Sequence, residues 1–131
     1  MTDRGTRALL LGVGPAFAYV AYIFVMGSIR GADTPMHVSD KTAHFLAFGL
    51  MVPLFARALR HLAPRVSPVV ALLLAAALSS GAGALLEVWQ AFIPWRSSDV
   101  WDWVADTMGA AAALLVLFGV RAAKSGEPSA R

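Results

Sequence analysis

Glu87, Gln90, Arg96, Asp99, Asp102 and Asp106 crowd into one stretch, Leu86 to Gly109, between segments that are almost entirely Ala, Leu and Val. Carboxylates, an amide and a guanidinium held together can bind an ion, move protons or fasten helices to one another. If the flanking segments lie in lipid, each unpaired polar group near them costs kcal/mol, and function is the default reading of such a cluster. Asp40, Lys41 and His44 form a second polar group upstream.

Helical spacing makes these residues converge. At about 100° per residue, Asp99, Asp102 and Asp106 fall within roughly 60° of one another on one face; Asp40 and His44 share a face at i, i+4, and Glu87 and Gln90 at i, i+3. Asp40, Glu87, Asp99, Asp102 and Asp106 oppose only Lys41 and Arg96, leaving about −3 with His44 neutral. Ion pairing alone cannot balance that, so some acids are protonated, some face solvent, or a cation binds. Asp99 and Asp102 are expected at the interface. Asp106, about 10 Å further along the helix than Asp99, most needs a partner.

Each residue also has a plainer role: Lys41 as an interhelical ion pair with Glu87 or an Asp, His44 as a hydrogen-bond donor, Arg96 as an interfacial anchor. Their co-location favours a site. No HxH or HExxH spacing occurs and no metal site is expected from pattern; there is no GxSxG, and Ser97 and Ser98 have no triad context. With no Cys, thiolate chemistry and disulfides are excluded.

The elements that must position these groups are membrane helices. The 131 residues are 58% hydrophobic and only 15% charged, with mean hydropathy +0.65, too apolar for an ordinary soluble domain. The expected fold is all-α: one domain, an integral-membrane four-helix bundle with spans at about 8–29, 42–60, 69–89 and 100–120. Arg4, Arg7 and Ala16-Phe17-Ala18 resemble a signal peptide, but an apolar run of roughly 33 Å is about twice the length of a signal h-region. Pro15 is expected to kink span one where a neighbouring helix takes the freed carbonyl. Arg30 to Asp40 is a polar connection in which Ser39 or Asp40 caps the next helix, and Pro64 and Pro68 bound a tight loop. Span two is short for a bilayer and carries Pro53. Small residues at 79–84 and 109–113 predict close packing of spans three and four, and 121–131 reads as a frayed polar tail.

Arg4, Arg7, Arg57, Arg60, Arg65, Arg121, Lys124 and Arg131 fall on the terminal side, against Arg30, Lys41 and Arg96 opposite. This bias predicts cytoplasmic termini in a multi-pass protein of the cytoplasmic (inner) membrane. Trp89, Trp95, Trp101 and Trp103 then form an aromatic belt at the outer boundary. The net charge of +3 comes from segment ends, with no basic–aromatic stripe, so nucleic acid is not an expected partner and the bilayer is.

At these residues the sequence resembles the VanZ-like family of small bacterial membrane proteins. Asp40-Lys41 with His44 and Phe45 forms one matching block; Glu87, Gln90, Pro94, Arg96, Asp99 and Gly109 form the other. Asp106 stands where the family commonly has Asn, which makes this site more negative or leaves Asp106 protonated. The resemblance implies a polytopic cell-envelope protein, its namesake being associated with low-level resistance to the glycopeptide teicoplanin; it does not identify a reaction, and the sequence leaves any cofactor open.

Three readings follow. In the first, Asp40, Lys41, His44, Glu87, Gln90, Arg96, Asp99 and Asp106 line an outward pocket for a lipid headgroup or lipid-linked envelope precursor, Arg96 and Lys41 meeting its anionic groups. In the second, a hydrolase or transferase uses Asp99 or Glu87 as base and His44 as acid or ligand, with a divalent cation offsetting the excess acid. In the third, the groups only fasten helices or recruit a membrane partner.

Overall fold

The computed structural model describes residues 3–30 and 39–126. These form four helices, α1 (Asp3–Ser28), α2 (Asp40–Leu62), α3 (Pro68–Ala91) and α4 (Val100–Gly126). All four are long and apolar enough to cross a bilayer, with mean hydropathy from 1.5 for α2 to 2.2 for α3 over their most apolar windows. The expected all-α four-helix membrane bundle is therefore the observed fold. Residues 31–38 of the expected polar connection, and Arg131, lie outside the described residues.

Local sequence explains the helix ends. Ser39 Oγ accepts the Thr42 N–H at 3.2 Å, so α2 starts at Asp40 and is 23 residues long, about 34 Å and sufficient to span despite Pro53. Ser67 caps α3 in the same way through Val70 N–H, with Pro68 in the first turn where its missing N–H costs nothing. The side chain of Asp99 accepts the Trp101 N–H at 2.9 Å and starts α4. The expected frayed tail is corrected in part: α4 continues through Arg121 to Gly126, because Arg-Ala-Ala-Lys is good helix-forming sequence that can run on past the lipid.

The packing is that of a membrane bundle. Leu46, Leu50, Leu73, Leu74, Leu85 and Leu115 point outward, while the interior face of α3 is Ala71, Ala75, Ser79 and Gly83, repeating every four residues. With no water to drive large side chains inward, small ones admit neighbouring backbones. α2 and α3 each touch all the other helices, and α2 packs most extensively on α4. Glycines mark the closest approaches. A Cβ on Gly109 would strike the Phe45 carbonyl of α2, and Gly49 lies against the Gly109 carbonyl. A Cβ on Gly83 would strike the Asp106 carboxylate. Spans three and four do pack together, but Gly109 serves the α2–α4 crossing instead.

The carbonyl freed by Pro15 is taken up by a neighbouring helix, as expected. It is that of Leu11, which is left without an intrahelical donor and accepts Arg57 Nη2 from α2 at 2.6 Å.

Candidate functional site

The site lies at the end of the bundle opposite the termini, where the start of α2, the end of α3 and the start of α4 meet. Lys41, one residue into α2, donates to Asp99 Oδ2 at 2.9 Å and Asp102 Oδ1 at 2.8 Å. One turn deeper, His44 Nδ1 and Asp106 Oδ1 share a hydrogen bond of 2.8 Å, and the imidazole stacks on Phe48 at 6.2 Å between centroids. α2 and α4 are thus joined by two polar rungs separated by a helical turn, which the i, i+3 and i, i+4 spacings require. The upper rung is wet and the lower is not: Lys41 is 53% exposed and Asp106 fully buried.

Glu87 enters from α3, on the face that continues Ser79 and Gly83. Its Oε2 accepts the Asp99 N–H at 2.7 Å and Ser98 Oγ at 3.2 Å. One carboxylate therefore holds the last residues of the 92–99 loop as α4 begins. The Lys41 ammonium, with the Trp101 N–H, holds the Asp99 carboxyl below its ordinary range.

The sequence-predicted residues divide. Asp40, Lys41, His44, Glu87, Asp99 and Asp106 meet here. Lys41 pairs with Asp99 and Asp102, the alternative to Glu87 that the sequence left open. Gln90 turns the other way, its Nε2 donating to the Gly27 carbonyl of α1 at 3.1 Å. Trp89 and Trp95 also donate to α1, to Ser28 Oγ and Ser28 O, so α1 supplies acceptors as well as hydrophobicity. Arg96 sits on the loop with no side-chain hydrogen bond or ion pair among the described residues, its Nε buried without a partner.

Asp102, counted in the cluster but not among the pocket residues, lies deeper than its sequence suggested. It was expected at the interface but is only 6% exposed, and its spacing of four from Asp106 was the signal that it faces α2. A cavity of about 730 Å³ opens at the other end of the bundle, lined by Arg57, Arg60, His61, Arg121 and Lys124 among others.

Chemically, the site offers an imidazole–carboxylate pair and carboxylate oxygens without donors. Glu87 Oε1 and Asp106 Oδ2 are buried and have no hydrogen-bond partner. His44, Glu87 and Asp106 each place a ligand-type atom within 4.8 Å of the others, as do Asp40, His44 and Asp102.

No curated protein and no solved structure matches the chain significantly. The VanZ/LLP1 family model matches residues 11–121, a range that takes in every residue of both polar rungs, Glu87 and the Gly109 crossing. A four-span bundle with its charged end assembled from α2, α3 and α4 is thus what this match covers, and the chain belongs to the VanZ/LLP1 family.

Proposed function

We propose that this is a multi-pass protein of the bacterial cytoplasmic membrane, its termini cytoplasmic and its charged end facing out, that binds the anionic headgroup of a lipid or lipid-linked envelope precursor. The observation that carries this reading is Arg96. On the loop that leads into α4, its guanidinium has no ionic partner among the described residues, whereas the Lys41 ammonium is committed to Asp99 and Asp102. A planar donor fork left open at a membrane boundary suits phosphate, which it can grip through two parallel hydrogen bonds. The indoles of Trp89, Trp95 and Trp101, at least half exposed, fit the headgroup level and would hold the loop there. Lys41 then positions Asp99 and Asp102 and is not itself the anion anchor.

Native mass spectrometry on detergent-purified protein loaded with phosphatidylglycerol or an undecaprenyl-phosphate lipid tests the reading. Arg96→Ala should lose the bound anionic lipid and Arg96→Lys retain part of it. Retention of the same lipids by Arg96→Ala would sink the proposal. Any effect of the protein on teicoplanin susceptibility should disappear with the same substitution.

A further inference from the structure

We infer that His44, Glu87 and Asp106 form a binding site for one divalent transition-metal ion of the zinc or manganese class. The three side chains come from three helices, α2, α3 and α4, and each brings a ligand-type atom to within 4.8 Å of the others. His44 Nδ1 and Asp106 Oδ1 are already 2.8 Å apart, close to the roughly 3 Å between neighbouring ligands around an ion with bonds of about 2.1 Å.

Proximity of acids alone would not point to an ion; the orphan oxygens do. Asp106 is 0% exposed and Glu87 6%, and each keeps one buried carboxylate oxygen, Oδ2 and Oε1, with no donor. Asp106 Oδ2 lies against Gly83 of α3, one helical turn from Glu87 on the same face, so the unpartnered oxygen is aimed at the helix that carries the third ligand. Gly83 makes room for it. The polar groups on the facing helices are already spent: Lys41 on Asp99 and Asp102, Ser98 Oγ and the Asp99 N–H on Glu87 Oε2, Ser79 Oγ on the Phe48 carbonyl, and Gln90 on α1, while Arg96 on the loop forms no ion pair with either carboxylate. Two carboxylates in an apolar bundle carry a large desolvation cost unless opposite charge meets them. A dication meets both at once.

The donor set selects the ion. One imidazole with two carboxylates suits Zn²⁺, Mn²⁺ or Fe²⁺, whereas Mg²⁺ prefers an all-oxygen shell and keeps its waters. The second trio, Asp40, His44 and Asp102, is the weaker candidate because Asp40 is exposed and Asp102 is held by Lys41.

The test uses full-length protein in detergent, stripped with chelator, and titrated with ZnCl₂ or MnCl₂ by calorimetry, with bound metal counted by plasma mass spectrometry. One equivalent per chain is expected, together with a rise in Tm. Glu87→Gln and Asp106→Asn, both near-isosteric, should each weaken binding by roughly 100-fold or more, beyond the 10–100-fold typical of an outer-shell partner. Asp40→Asn should leave it unchanged. Absence of a bound equivalent in the wild type, full binding by the Glu87 and Asp106 variants, or loss confined to Asp40→Asn would each overturn the inference. Should either carboxamide variant fail to fold, the wild-type Tm still decides: no shift with a stoichiometric excess of either metal refutes the site.

Discussion

Lys41 and Asp99 show how one ion pair couples the loop to the bundle. Because Lys41 lowers the pKa of Asp99, the pair's stabilisation is fully present above the ordinary carboxyl value near 3.8 and is lost as pH falls through the lowered folded value. Melting curves of wild type and Asp99→Asn, taken from about pH 6 down to about pH 3, should therefore differ at the upper end and converge at the acid end. In a Lys41→Met background the convergence should move to higher pH; an unchanged convergence point would mean that Lys41 does not hold Asp99. At this scale the sequence was informative about which residue types gather and less so about their partners. Asp102 was expected at the interface, yet it is buried against α2 and accepts from Lys41. Gln90 looked like part of the site because it shares a face with Glu87, but a turn of helix between them is enough for one to meet α1 and the other the loop that leads into α4.

The elements depend on close backbone approach. Gly109→Ala would place a methyl on the Phe45 carbonyl, forcing α2 and α4 apart where Lys41 and His44 reach across. A loss of about 1–3 kcal/mol is expected from such overpacking, measured by unfolding in mixed detergent. Gly119→Ala, with nothing within 4 Å of the new atom, should be neutral or slightly stabilising, and equal effects of the two substitutions would contradict the crossing. The carbonyl freed by Pro15 gives a second check. Arg57→Ala leaves the Leu11 carbonyl without its donor, at a cost of about 1–2 kcal/mol. Adding Pro15→Ala restores an intrahelical donor to that carbonyl, so the double variant should recover most of the loss; simple additivity would show that Arg57 acts elsewhere.

For the whole molecule, the two ends differ in charge: carboxylates and Lys41 gather opposite the termini, while Arg57, Arg60, Arg121 and Lys124 surround a cavity at the other end. The proposed orientation puts the basic end in the cytoplasm, where anionic lipid favours it. The chain lacks Cys, so single cysteines can report this without background. In intact cells, Ser97→Cys should react with a membrane-impermeant maleimide and Ser125→Cys only after lysis. The reverse pattern would invert the topology and move the charged site to the cytoplasmic face.

The sequence by itself determined that four apolar segments cross a bilayer, because length and hydropathy are local properties that lipid reads segment by segment. It also determined that Asp40, Lys41, His44, Glu87, Asp99 and Asp106 meet at one end, because four spans with short connections leave no other arrangement. Only the tertiary structure decided the pairings. Whether Lys41 meets Glu87 or Asp102, whether Gly109 faces α2 or α3, and whether Glu87 and Asp106 keep an oxygen free depend on helix rotation and crossing, which steric fit between small residues of different helices sets and a periodicity within one helix cannot.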